Sequence, residues 1–366
     1  EILLGIVARK KGSEAIQTLF LNSEGHVNWE VPEGEWEISV LQKSCNLGYH
    51  RDYINMLDKD SCQVLIESVY EPHWERYQED FGKTIAGFFS DEPELGNGHM
   101  YDKDAKIGTT EDLPWSKELE QRLKERWKEQ FLNNLTFLWG ENDDRKRQAQ
   151  TRYDYMDEVT RLVEKNFSMQ IGEWCRNHNV EYIGHLIEDN GQHARMGSSL
   201  GHYFRGLAGQ DMAGIDDIGG QVFPQGEDVS YDDGPLHCRD GEFYHFMLGN
   251  LGGSLAALDP LKKGRSMCEI FGNYGWVEGV RLEKYLVDHF LVRGINHFVP
   301  HAFSMQPFPD PDCPPHFYAH GNNPQFRHFG KLMEYTNRVC EFLNGGHPVS
   351  TAAVIYHAEG EWTGKT

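Results

Sequence analysis

From about Asp52 to His301 the chain repeats one pattern: a helix-length amphipathic segment, then a short apolar run that stops at an acidic or histidine residue. Apolar runs of that length joined by helices are the mark of βα units, which need a parallel sheet to bury both faces of their strands. The runs are Thr84 to Ser90, ending at Asp91-Glu92-Pro93; Glu181 to Ile187, ending at Glu188-Asp189; and Gly214 to Ile218, holding Asp216 and Asp217. Ser266 to Gly272 with Glu269 and Ile295 to Val299 before His301 complete the set. Helices are expected at 59–81, 153–177, 243–258 and 282–293. In a barrel of parallel strands, the ends of such runs meet on one face, where the active site is built. The expected fold is therefore α/β, a (β/α)8 TIM-type barrel that is incomplete in this chain. About five of its eight strands are supplied, and the others would precede Glu1.

Residues 1–42 read differently, as a small β-rich segment with turn signals at Asn22 to Gly25 and Pro32 to Gly34. The expected organisation is this segment at 1–42, the barrel over 43–348 with a helical insertion at about 95–150, and the start of a following domain at 349–366. Helical spacing at Leu119, Leu123, Trp127 and Phe131 runs through the insertion. The length of 366 residues admits two domains or one enlarged barrel. A start at Glu1 directly on an apolar strand reads as a piece of a longer protein, so localisation is unknown from this fragment.

Thirty-five Lys+Arg against 57 Asp+Glu leave a net charge of −22. A surface of that sign repels phosphate, which argues against nucleic acid as a partner; the densest basic run, Arg145 to Arg147, lies beside Glu141, Asp143 and Asp144. No apolar run approaches the roughly 20 residues of a membrane span. The seven cysteines stand singly, without a CxxC pair, and do not indicate a zinc site or a redox compartment. The sequence carries no signal for oligomeric state.

Two carboxylates stand out. Glu92 follows an apolar strand and precedes a proline that fixes the turn, a place where a partly desolvated carboxyl can carry a raised pKa. The alternative is that Asp91 and Glu92 cap the next segment. Glu94 reads as a solvated loop residue. Glu269 interrupts the uncharged run Met267 to Phe271, and a buried carboxylate costs several kcal/mol without a partner or a task. Its alternative is a salt bridge with Arg265 or Arg281. Two carboxyls across a bond are the machinery of glycoside hydrolysis. Asp91, His185, Glu188, Asp189, Asp216, Asp217, His297 and His301 would line the cleft and bind sugar hydroxyls. Trp276 would give a stacking floor for a pyranose, or else pack under its loop. A metal-dependent hydrolase using His185, His297, His301 and Asp216 is the second reading, and a catalytically silent carbohydrate-binding module the third. Motifs for a nucleophilic serine, a zincin or a nucleotide-binding loop are absent, and Cys268 reads as inert filler of an apolar strand. The residues themselves require no cofactor.

Six segments together resemble glycoside hydrolase family 106, the α-L-rhamnosidases, and related uncharacterised bacterial glycoside hydrolases. They are Asp52 to Asn55 (DYIN), Gly82 to Pro93 (GKTIAGFFSDEP), Gly184 to Leu186 (GHL), Gly214 to Ile218 (GIDDI), Cys268 to Trp276 (CEIFGNYGW) and Val299 to Phe303 (VPHAF). The resemblance spans about 1–360. It implies a catalytic barrel in a large, exported multidomain protein, periplasmic or extracellular, acting on rhamnose-containing plant polysaccharides or glycoconjugates. It places Glu92 as general acid at the fourth strand and Glu269 at the seventh, activating water with inversion. It also implies a calcium ion gripping the sugar hydroxyls, with no ligands assigned. The insertion at 95–150 departs from the family pattern and bears on the rhamnose specificity.

Overall fold

The computed structural model describes residues 2–44, 52–95, 112–140, 142–232, 238–346 and 348–363. The chain opens with an antiparallel sheet of β1 (Ile2–Lys10), β2 (Ile16–Leu19) and β3 (Trp36–Lys43), in the order β2-β1-β3. Ile6, Ala8 and Leu19 form its own small cluster beside Trp29 and Trp36, while Val7 and Leu41 join the main core.

The amphipathic segments fold as helices. Asp58 caps α1 (Lys59–Leu65) by accepting from the Ser61 amide at 3.0 Å, and a π-turn carries the chain into α2 (Glu71–Tyr77). Within the insertion, Ser116 caps α3 (Lys117–Trp127), which buries Leu119, Leu123 and Trp127 as their spacing predicts. Phe131 starts the short α4 (Phe131–Leu135). Part of the insertion, 96–111, lies outside the described residues. Asp144 caps α5 (Arg145–Val163), so the charged run Arg145 to Arg147 is a helix start. A π-turn then leads into α6 (Gln170–Asn177).

Five parallel strands follow the expected runs: β4 (Gly87–Ser90), β5 (Glu181–Gly184), β6 (Ala213–Asp217), β9 (Ser266–Ile270) and β10 (His297–Pro300). Hydrogen-bonded ladders join β4 to β5 and order the others β6-β9-β10. The two groups adjoin at β5 and β6, where the Asp211 amide donates to the Tyr182 carbonyl at 2.7 Å. Gly214 lies so close to β5 that a Cβ there would stand 1.6 Å from the Gly184 carbonyl oxygen. The five strands thus run side by side in chain order, and they close into no barrel among the described residues.

The crossovers carry α7 (Tyr203–Gly206), a two-residue ladder of β7 (Tyr231–Asp232) and β8 (Cys238–Arg239), α8 (Gly249–Leu258) and α9 (Val280–Leu291). Two helices lie beyond β10: α10 (Phe326–Leu343), which the strand-centred pattern overlooked, and α11 (Ala358–Thr363). Trp362 of α11 is fully buried in the main core, and its indole donates to the Gly201 carbonyl at 2.8 Å. No helix among the described residues is long and apolar enough to cross a membrane.

Candidate active site

Register decides which side chains meet. Asp216 pairs with Glu269, and Glu269 with Val299, across β6-β9-β10, so Asp216 and Glu269 project from one face at one level. On β4, Phe88 points to the helices, against Tyr70 and Trp174, whereas Phe89 meets His185 at 5.8 Å between ring centroids. His185 itself follows β5, its amide donating to the Ser90 carbonyl. Glu92, at φ 41° just before Pro93, holds a left-handed backbone that non-glycine residues rarely adopt.

His185 is the centre. Its ring is 1% exposed, with Nδ1 2.9 Å from the Leu186 carbonyl and Nε2 3.0 Å from Glu269 Oε2 and 3.2 Å from Asp91 Oδ1. A carbonyl and a carboxylate only accept, so both ring nitrogens must carry protons to satisfy these contacts. The group is an imidazolium. Burial alone would lower its pKa, but the hydrogen bonds to Asp91 and Glu269, with the charges of Asp216 and Glu188 behind them, hold it well above the usual histidine range.

The surrounding carboxyls divide by environment. The hydrogen bond from His185 lowers the pKa of Asp91, whose side chain is largely exposed. Burial, helped by the charges of Asp189, Asp91 and Glu269, pushes Glu92 up to about 7 against the pull of His185. Asp216 is buried and raised well above its ordinary value, mainly by burial, and its Oδ1 has no hydrogen-bond partner among the described residues. Glu188 accepts from the Leu186 amide at 2.9 Å, and burial pushes it up to about 8.

A second layer braces these groups. Asp189 accepts from the Gln221 side-chain amide and, at 3.4 Å, from the Tyr244 hydroxyl. Tyr274 Oη stands 3.0 Å from both oxygens of Asp217, which is fully buried with its pKa raised mainly by that burial. Neither Tyr274 nor Gln221 was singled out by sequence reasoning. Tyr274 lies in the Gly272 to Trp276 segment, where the tryptophan is the stronger signal for sugar stacking; nothing local marks Gln221.

Not every expected residue joins the centre. His297 stands at the first position of β10, opposite Met267, with Nδ1 on Asn296 Oδ1 at 2.7 Å. The Asn296 side chain in turn receives the Ser266 amide at the start of β9, so His297 belongs to the far end of the strands. His301 is at the near end, beside Gly272, and its Nδ1 has no partner among the described residues. Arg265 pairs with Glu181 at 2.7 Å, so the salt bridge considered for Glu269 is supplied by His185 instead. Glu94, expected in solvent, is buried, because the chain turns inward after Pro93 and the Leu95 amide bonds the Ser199 carbonyl. Cys268 is fully buried with its thiol pKa raised by that burial, the setting of an inert thiol. Trp276 is 45% exposed, its ring held by the edges of Phe308 at 5.8 Å and His316 at 6.1 Å.

Among the described residues, two groups bring donor atoms within 4.8 Å of one another: Asp91, His185 and Glu269; and Glu92, His185 and Asp216. His185 and Asp216 of the four expected metal ligands are therefore together, and His297 and His301 belong to neither group. The carboxylates are hard oxygen donors of the kind calcium takes, and the unpartnered Asp216 Oδ1 suits such an ion. The imidazolium cannot be a ligand while it keeps its Nε2 proton.

Comparison of the sequence with models of protein families and with curated proteins finds no match. In structure, the chain is similar to the rhamnosidase from Novosphingobium sp. PP1Y, with a TM-score of 0.59 over 91% of this chain and 15% sequence identity. The match covers 30% of that protein, so this chain spans under a third of the rhamnosidase's length. At this identity the likeness is one of fold.

Proposed function

We propose that the chain carries the catalytic part of a glycoside hydrolase acting on α-L-rhamnosides, its five parallel strands forming part of a (β/α)8 barrel. One observation carries this reading: a carboxyl raised to about 7, Glu92, and a carboxylate paired with a fixed cation, Glu269, share one cluster at the strand ends. That is the division of labour between general acid and base that glycosidases need. Glu92 enters protonated and gives its proton to the departing oxygen. Glu269, oriented by His185, takes a proton from the attacking water on the anomeric side. Asp91, Asp189 and Asp216 are placed to receive sugar hydroxyls. The rhamnosidase of similar fold and the family 106 resemblance are the grounds for the sugar.

Calcium fits the donor set. Asp216, through its unpartnered Oδ1, would hold it, and its chemistry there would be to bind vicinal hydroxyls of the sugar. A second reading, a metal-dependent hydrolase, draws on one contact: His185 Nδ1 bonds a backbone carbonyl, as metal-binding histidines do. The two readings differ by one proton, on His185 Nε2.

The test is hydrolysis of aryl α-L-rhamnosides across pH. With Glu92 as acid, activity falls as pH rises through about 7. Glu92→Gln removes that limb and lowers kcat about 10²- to 10⁴-fold, and Glu269→Gln is similarly impaired. Full activity in both variants sinks the assignment. Stoichiometric transition metal, with activity lost on chelation, selects the second reading. Sugar binding without turnover selects a silent binding module.

A further inference from the structure

At the strand ends the chain stitches its own loops together: leaving β9 and β10, the Asn273 amide donates to the Cys313 carbonyl at 3.3 Å and the Gly275 amide to the Pro314 carbonyl at 2.8 Å. The N-terminal sheet is finished differently. In the order β2-β1-β3, β2 is four residues long and runs into a turn that the Asn22 amide closes on the His26 carbonyl at 2.8 Å. β3, at the other edge, is eight residues long, and no strand among the described residues pairs with its outer side. Natural edge strands are blunted by shortness, proline, lysine or a covering element. From Trp36 to Gln42, β3 has neither proline nor lysine.

The side chains at that edge are unfinished too. Residues paired across strands share a face, so Val40 stands beside Ile6 with Leu19 beyond it, and Ile38 stands beside Ala8. Ile6, Ala8 and Leu19 are buried, with Trp29 and Trp36 packed on them. Val40 and Ile38, next in the same rows, are 55% and 53% exposed. Apolar rows that run to a sheet edge and stop in water mark a contact surface.

A second copy of the chain completes them. With β3 antiparallel to its own copy and Val40 opposite Val40, the row Leu19-Ile6-Val40 continues into Val40-Ile6-Leu19. On the opposite face the same register sets Glu37 against Lys43 at both ends. That joins the Arg9–Glu37 contact at 2.6 Å to the Lys43–Glu120 contact at 2.9 Å in one line of alternating charge. A parallel, in-register pairing would set Glu37 against Glu37, which is repulsive. We propose that the outer edge of β3 is the interface of a two-fold dimer of this chain, antiparallel and centred on Val40. A strand paired with itself in this way closes the assembly at two copies.

The experiment is sedimentation velocity of the wild-type chain and of Val40→Lys over about 1–100 μM, the weak end of protein interfaces. It is run in about 0.15 M salt, which screens the repulsion between two copies of net charge −22. The wild-type chain is expected to pass from monomer to dimer with concentration. Val40→Lys, which sets like charges opposite each other at an exposed position, should stay monomeric with an unchanged circular dichroism spectrum. Val40→Cys reads the register and needs no disruptive change. Opposite Cα atoms of an antiparallel pair lie about 4.5–5.5 Å apart, within disulfide reach, whereas the two copies of position 38 would stand roughly 13 Å apart along the strands. Mild oxidation should therefore cross-link Val40→Cys several-fold faster than Ile38→Cys, with the wild-type chain as the blank for its own cysteines. A wild-type chain that stays monomeric throughout, species larger than a dimer, a dimer that survives Val40→Lys, or cross-linking as fast at position 38 as at position 40 overturns the proposal.

Discussion

His185 holds the cluster together by charge. Without it, Glu92, Asp91, Asp216 and Glu269 would face one another across a low-dielectric space with nothing between them. Breaking a buried ion pair by removing one partner costs about 3–5 kcal/mol, because the remaining charge is stranded. His185→Ala is therefore expected to lower thermal stability and activity together, while His185→Lys, which restores a cation if not its geometry, recovers stability more than rate. Denaturant melts of the three proteins, read beside kcat, check this. Equal stability of all three would show that the cation is not needed. The strand-end acids and this histidine were legible in the sequence because each stands where an apolar run stops. The pairing of His185 with Glu269 was not, since those residues are 84 apart in the chain and meet only through the strand order.

At the scale of elements, the apolar runs were sound guides to where strands fall and poor guides to their ends. The run Glu181 to Ile187 was expected as one strand, but the ladder ends at Gly184, where a φ of 147° turns the chain so that His185 faces the cleft. α10 was overlooked because its pattern, Phe329, Leu332 and Thr336 buried at helical spacing, leads to no strand. Among the described glycines, Gly214 is the one where a Cβ would be most crowded, against the Gly184 carbonyl. Gly214→Ala would thrust a methyl group onto that carbonyl, and overpacking of this kind costs about 1–3 kcal/mol or more. The expected outcome is a lower melting temperature with Glu92 and His185 moved away from Glu269, seen as activity falling further than stability alone explains. A variant with wild-type melting and rate would mean that β5 and β6 separate freely.

Across the molecule, buried ionisable groups of both kinds set the pH range of stability. Glu278 is pushed up to about 9, Glu188 to about 8, and Glu283 and Glu92 to about 7, in each case chiefly by burial. Against an ordinary glutamate near 4.5, the folded state keeps protons that the unfolded chain has released, so their contribution to stability is lost as pH rises from 4.5 through 9. His193 is lowered to about 4, and His202 and His289 to about 3, again chiefly by burial. The unfolded chain takes up those protons first, so their contribution is lost as pH falls from 6.5 toward 3. The melting temperature should pass through a maximum near pH 5–6.5 and decline on the alkaline side. Glu278→Gln, which removes the most strongly raised of the four carboxyls, should flatten that decline; an alkaline limb of unchanged slope in the variant would count against it.

The stitching of the β9 and β10 loops bears on how a ligand gets in. Backbone bonds from Asn273 and Gly275 make the two loops one body, so this side of the entrance has no flap that can swing separately from the chemistry beside it. Encounter on that side is governed by diffusion and orientation, with an observed rate that climbs in proportion to ligand concentration and reaches no plateau set by the opening of a gate.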